Sequence, residues 1–257
     1  MAEQANTANG CWCVVPASGV GKRMGGTLPK QYLSLDNAGS ANTTTTVIEC
    51  TLRRLAAHPD IRGIVVVIAE EHEQWPALSL QINKPLIVAA GGKERCDSVL
   101  NGLHQLQFVT HNTEVPDVQE VQTDDWVLVH DAARPCIRHS DISRLMAAVR
   151  GHAGGGLLGL PMTDTVKRCD AVGIVQQTIE RNNLWRALTP QMFPLRRLTD
   201  ALTAAFDGGH AVTDEASAME LFGYQPLMVE GHSDNIKITH PQDLALANHY
   251  LEQQEHE

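Results

Sequence analysis

The chain is expected to adopt an α/β fold with a mostly parallel central sheet flanked by helices, and three observations carry that expectation. Short apolar runs rich in β-branched residues alternate with segments of helical periodicity from residue 11 almost to the end. Several of these runs are continuous rather than alternating, as strands covered on both faces require. Hydrophobic residues make up 43% and charged residues 19% of the 257 residues, which is ample for a buried core and carries no signature of disorder.

CWCVVP at 11–16 reads as the first strand and opens into a Gly-rich loop. Residues 46–57 have helical spacing, with Ile48, Leu52 and Leu55 on one side. IVVVI at 64–68 and the run at 86–90 are buried strands. Residues 94–106 form a helix that turns Val99, Leu100, Leu103 and Leu106 inward. The polar stretch 111–123 reads as a surface loop. WVLVH at 126–130 is another buried strand, residues 140–149 a helix with Ser140 or Asp141 as N-cap, and GLLGLP at 156–161 one more strand.

The rhythm breaks after Pro161. Residues 165–169 and 174–179 read as two strands joined by a turn at 170–173, and their mixed side chains offer no continuous core face. A hairpin of that kind is stable only when it packs elsewhere, for instance on a second subunit. Helical spacing resumes at 195–206, 214–222 and 241–251. The expectation is a single Rossmann-like domain spanning 1–257, with a protruding β-hairpin dimerisation arm at about 162–187.

The formal net charge of −10 argues against a broad nucleic-acid surface, and 4% aromatics supply few platforms for base stacking. An acidic chain that handles phosphates has to gather its cations locally. The six cysteines (Cys11, Cys13, Cys50, Cys96, Cys136 and Cys169) show no C-x-x-C pairing or metal spacing, and read as buried or half-buried thiols in a reducing compartment. The polar N-terminus lacks a signal core, and no run is long enough to span a membrane, so the expected location is cytoplasmic.

Two segments carry chemistry. The loop PASGVGKRMGGTLPK at 16–30 lets backbone N–H groups approach an anion beside Lys22, Arg23 and Lys30. It is not a Walker A loop, because Pro16 and Arg23 stand where Gly and Ser or Thr belong. Met24 in place of a third Gly likewise disfavours a nicotinamide-dependent oxidoreductase. The second segment, HDAARP at 130–135, lies at the carboxyl end of a predicted strand, where open α/β sheets bind ligands. There Asp131 can hold a divalent metal and Arg134 can pair with a phosphate.

Seven motifs in order resemble the 2-C-methyl-D-erythritol 4-phosphate cytidylyltransferase family. They are P-A-S-G-x-G-x-R-M with P-K-Q-Y, G-G-x-x-R-x-x-S at 91–98, H-D-A-A-R-P, D-T-V-K-R at 164–168, L-T-P-Q at 188–191, T-D-E-A-S-A at 213–218 and D-N-I-K-I-T at 234–239. The resemblance implies transfer of CMP from CTP to a small sugar-alcohol phosphate, with release of pyrophosphate and a requirement for Mg²⁺. It places Pro16, Ala17, Ser18, Gly19 and Gly21 around the triphosphate as backbone donors and neighbours. Arg23, Lys30 and Lys237 match the catalytic cations, and Gly91, Gly92, Arg95 and Ser98 the cytosine-selecting segment. Asp131 and Ala132 match positions at the ribose and metal. Arg134, Thr165, Arg181, Thr189 and Thr213 match the acceptor side, as does Lys237, and Thr165 and Arg181 lie on an arm that crosses to the partner of a homodimer with composite active sites. The closest competing acceptor is ribitol 5-phosphate. A non-catalytic nucleotide-binding scaffold would be expected to have lost the cations, yet Arg23, Lys30 and Lys237 are all present.

Overall fold

A computed structural model describes residues 10–19, 28–35, 45–69, 74–78, 80–111, 121–122 and 124–255. Its strands, in chain order, are β1 (Cys11–Pro16), β2 (Ser34–Leu35), β3 (Thr45–Thr46), β4 (Ile61–Ile68), β5 (Leu86–Ala90), β6 (Trp126–Val129), β7 (Gly156–Pro161), β8 (Val166–Cys169), β9 (Val175–Ile179), β10 (Trp185–Pro194) and β11 (Leu227–Glu230). The helices are α1 (Val47–Ala57), α2 (Arg95–His111), α3 (His139–Val149), α4 (Leu195–Asp207), α5 (Glu215–Leu221) and α6 (Gln242–Glu255).

Seven strands form the central sheet in the order β11-β7-β10-β6-β1-β4-β5. β1 pairs parallel with β4 on one side and with β6 on the other, and β4 with β5. β1 is therefore the point at which the winding reverses direction, and the carboxyl ends of β1, β4, β5 and β6 share one edge of the sheet. Successive residues of β1 feed opposite layers. Cys13 and Val15 pack with Ile48 and Leu52 of α1 and Ile142 and Leu145 of α3. Val14 packs with Val99 and Leu103 of α2, Leu198 and Leu202 of α4 and Met219 of α5. Burial on both faces accounts for the uninterrupted apolar runs.

β10 is the strand that periodicity did not reveal. Its WRALTPQMFP contains two prolines and an arginine, which interrupt the apolar run. Pro190 falls in the register shift between Ala187 and Gln191, where its missing N–H costs no ladder bond. β10 returns antiparallel beside β7 and fills the space between β7 and β6. The β7–β10 pair is thus the root of a long hairpin whose outer part is β8–β9. Those two strands pair with each other over Val166↔Ile179 to Cys169↔Val175 and, among the described residues, belong to no other sheet. Val172, Ile174 and Val175 are 83%, 63% and 55% exposed, as side chains without a core face would be. The short edge strand β11 was also not anticipated.

Helix starts follow local chemistry where a cap is free to act. Thr46 and Glu49 form a reciprocal capping box at α1, and Asp214 and Ser217 do so at α5. The start of α3 differs from expectation: the cap position is Arg138, with no side-chain bond, rather than Ser140 or Asp141. Asp141 is buried and turned to a tertiary task, accepting from His232 N at 2.9 Å, His232 Nδ1 at 2.7 Å and Arg144 Nη1 at 3.0 Å. Cys169 also departs from the expectation of covered thiols, because it is exposed on β8. No helix among the described residues is long and apolar enough to cross a membrane.

Candidate active site

A cavity of about 600 Å³ opens at the shared carboxyl edge. Its walls include Pro16 at the end of β1 with Ala17, Ser18 and Gly19 after it, Gly92 and Arg95 after β5, Asp131 and Ala132 after β6, and Lys30 and Lys237. Ten residues singled out from the sequence thus meet at one place, although they span more than two hundred positions of chain. Gly21 and Arg23 lie outside the described residues, as does most of the loop at 111–123.

Asp131 is the electrostatic centre. Arg95 Nε donates to its Oδ1 at 2.9 Å, while Lys237 Nζ and Arg134 Nε approach Oδ2 at 2.9 and 3.3 Å. Burial would push this carboxyl up, but Arg95, Lys237 and Arg134 together outweigh it and hold the group well below the usual carboxylate range. Its backbone N–H donates to Thr189 Oγ1 at 3.1 Å.

Arg95 is shared. Besides Asp131 it grips Glu215 in a fork, Nη1 to Oε1 at 2.6 Å and Nη2 to Oε2 at 3.1 Å. Three cations therefore face two carboxylates, Asp131 and Glu215, which leaves the cluster with a net positive charge beside the cavity of an acidic chain. Lys30 adds another cation on the wall, with its Nζ donating to Ile238 O at 2.8 Å.

The loops are held by polar staples that sequence reasoning passed over. Gln31 is buried, and its Nε2 donates to Ala17 O at 2.7 Å and Gly19 O at 3.0 Å. Across the trans peptide, fixing the Ala17 carbonyl turns the Ser18 N–H away from Gln31. The Ala17 N–H itself is committed to Val67 O at 2.7 Å, which corrects the expectation that it is a donor to an anion. Ser98 Oγ meets Ser18 Oγ at 2.8 Å, accepts from Gly92 N at 3.0 Å and donates to Glu94 O at 3.0 Å, so this buried hydroxyl ties two loops together. Gly91 allows the approach, since a Cβ there would lie 2.4 Å from Ser18 Cβ.

Other expected residues stand away from the cavity wall. Arg134 is buried and donates from Nη1 to Asn235 O at 2.7 Å, beneath Asp131 rather than in the opening. Thr189 is buried between Asp131 and His130. Thr165 and Arg181 are exposed on the hairpin, and Thr213 is exposed before α5. Lys93, Glu94 and Thr239 line the cavity without having been anticipated. Gln31, Thr239 and Glu215 do lie within quoted motifs, so the motifs located the site better than the choice of residues inside them.

A Mg²⁺ ion takes one or two carboxylates together with phosphate oxygens and waters. Asp131 suits that set on the condition that Lys237, the most exposed of its three cationic partners, turns from Oδ2 to a phosphate.

Residues 11–253 match the family described as IspD, 2-C-methyl-D-erythritol 4-phosphate cytidylyltransferase. The protein of that name from Tolumonas auensis is 48% identical over 242 residues, covering 94% of this chain and 96% of its own length. The one from Hahella chejuensis is 48% identical over 240 residues, covering 93% and 92%. A crystal structure of Francisella tularensis 2-C-methyl-D-erythritol 4-phosphate cytidylyltransferase superposes with a TM-score of 0.76 at 34% identity, covering 94% of this chain and 100% of that one.

His130 is fully buried behind this site. Its Nε2 faces the Arg134 carbonyl at 3.1 Å, and a carbonyl only accepts, so Nε2 carries the proton and Nδ1 accepts from the Thr189 hydroxyl at 3.1 Å. Burial pushes its pKa down to about 4 from a usual value of 6.5. The unfolded chain therefore binds the extra proton first, and this contribution to stability is complete above about pH 6.5 and declines as pH falls towards 4. Imidazole ¹⁵N NMR is expected to show a neutral, Nε2-protonated His130 down to about pH 4. Protonation at the ordinary value, or a proton on Nδ1, would contradict this network.

Proposed function

The chain belongs to the 2-C-methyl-D-erythritol 4-phosphate cytidylyltransferase family, and we propose that it transfers CMP from CTP to 2-C-methyl-D-erythritol 4-phosphate, forming 4-diphosphocytidyl-2-C-methyl-D-erythritol and pyrophosphate for isoprenoid precursor biosynthesis. The observation that carries this reading is the cavity at the carboxyl edge of β1 and β6, where Lys30, Arg95 and Lys237 gather in a chain of net charge −10.

An acceptor phosphate monoester is already ionised near neutral pH, its second pKa being about 6. One of its oxygens attacks the α-phosphorus of CTP, the bond from that phosphorus to the bridging oxygen breaks, and pyrophosphate leaves with the electron pair. No general base is required, and neutral His130, facing Thr189 and the Arg134 carbonyl, fits a site without one. The protein's task is to relieve repulsion between two polyanions and to align them. Ser18 and Gly19, together with Gly21, receive the triphosphate, and Lys30, Lys237 and Arg23 neutralise its charge. Gly91, Gly92, Arg95 and Ser98 shape the cytosine side. Mg²⁺, held by Asp131 and the phosphates, would supply further neutralisation of the phosphate charge.

The hairpin at about 162–187 is read as the arm of a homodimer, in a chain that otherwise forms one unit over 1–257. Its exposed Val172, Ile174 and Val175 support that reading. Thr165 and Arg181 on the arm then reach the partner's acceptor site, joining Arg134, Thr189 and Thr213 as the acceptor-side set. The free thiols fit a cytoplasmic location.

With Mg²⁺ and CTP, the purified protein is expected to release pyrophosphate with 2-C-methyl-D-erythritol 4-phosphate and not with ribitol 5-phosphate. Lys30→Ala is expected to lower kcat about 10²- to 10³-fold with the fold retained. Release with ribitol 5-phosphate alone would overturn the acceptor, and release with neither would overturn the enzyme. Sedimentation is expected to show a dimer that Val172→Asp with Ile174→Asp converts to an inactive monomer, whereas an active wild-type monomer would refute the arm's role.

A further inference from the structure

Glu215 opens α5 and is completely buried, yet its carboxylate belongs to neither hydrophobic layer and does not line the cavity. Isolated burial of a carboxylate is costly, and a well-packed apolar side chain of similar volume often serves the fold equally well. What Glu215 contacts is therefore informative. Both of its oxygens take the Arg95 guanidinium, at 2.6 and 3.1 Å, and the same guanidinium reaches Asp131 Oδ1 through Nε at 2.9 Å. A planar fork held by three bonds to two carboxylates cannot rotate without breaking contacts at both ends.

The seat of Glu215 is itself braced. Asp214 caps α5 by accepting from Ser217 N at 3.0 Å. Gln191 of β10 donates from Nε2 to Asp214 Oδ2 at 2.9 Å and accepts at Oε1 from Ala216 N at 2.9 Å. A support thus runs from the central sheet through the first turn of α5 to Glu215, then through Arg95 to Asp131 at the cavity.

We propose that Glu215 is a positioning residue: it fixes the orientation of Arg95, and through Arg95 that of Asp131, for nucleotide binding. The inference rests on the nucleotide-transfer reading above. Glu215→Gln keeps the shape but sets an amide NH₂ against a guanidinium N–H and leaves the cation cluster with one fewer opposing charge. Arg95, on the cavity wall, is then no longer held in one orientation, and the cost falls on the nucleotide more than on the acceptor.

The test combines steady-state kinetics with CTP binding by calorimetry on full-length protein. Glu215→Gln is expected to raise KM for CTP and weaken CTP binding about ten- to hundredfold, the usual range for losing a hydrogen bond to a charged group. KM for the acceptor is expected to change less than KM for CTP, because Arg95 lies on the nucleotide side and meets the acceptor-side Arg134 and Thr189 only through Asp131. Because Glu215 acts through Arg95, adding Glu215→Gln to Arg95→Met is expected to cost almost nothing further. Unchanged CTP binding in Glu215→Gln, equal losses for both substrates, or fully additive effects would overturn the proposal. If Glu215→Gln does not fold, the apolar pair Arg95→Met with Glu215→Leu takes its place, and wild-type CTP affinity in that variant would overturn the proposal as well. Absence of CTP binding in the wild type would instead overturn the nucleotide-transfer reading and this inference with it.

Discussion

The structure turns on a single carboxylate. Asp131 sits at the carboxyl end of β6 with little contact with water, and it holds Arg95, Arg134 and Lys237, residues drawn from three distant parts of the chain. Each of these cations would repel the others if Asp131 were absent, and Asp131 would be costly to bury without them. The cluster therefore exists only when the sheet, α2 and the segment carrying Lys237 are all in place. Its surplus of positive charge is what makes an otherwise acidic molecule attractive to a polyphosphate.

The fold puts the cluster where a ligand can reach it. Parallel pairing of β1 with both β4 and β6 sends the chain away in opposite directions at one edge and leaves a crevice there. The loops bordering that crevice are fastened by buried polar side chains, Gln31 on the Ala17 and Gly19 carbonyls and Ser98 on Ser18, Gly92 and Glu94. Such bonds fix backbone direction, which matters more for receiving phosphate oxygens than the bulk of any side chain does. Lys30 and Lys237 are held differently, by a main-chain carbonyl and by a shared carboxylate, acceptors that a phosphate can replace.

What could be read from sequence was what local pattern encodes. β1, β4, β5, β6 and β7 announced themselves as apolar runs, and the mixed faces of β8 and β9 marked a hairpin with nothing to pack on. β10 stayed hidden because two prolines and an arginine mimic a loop, and its place in the sheet comes from pairing with β7 and β6. Asp141 shows the same limit at a helix start, since its local capping preference lost to bonds with His232 and Arg144. At the site, Lys30, Arg95, Asp131 and Lys237 were found because their motifs stand in order along the chain. Glu215 and Gln31 were not, although they sit inside those motifs, because their importance lies in contacts with Arg95 and with the carbonyls of Ala17 and Gly19. Arg134 and Thr189, read on the acceptor side, are buried directly behind Asp131. Residue type alone does not distinguish a wall from the brace beneath it.

The most direct test of the central claim is a crystal structure of the protein with CTP and Mg²⁺. The triphosphate is expected against Ser18 and Gly19, between Lys30 and Lys237, with Lys237 Nζ moved from Asp131 to a phosphate oxygen and the Arg95–Glu215 fork unchanged. CTP bound elsewhere, or bound in the cavity with the Lys237–Asp131 and Lys30–Ile238 contacts both intact, would contradict it.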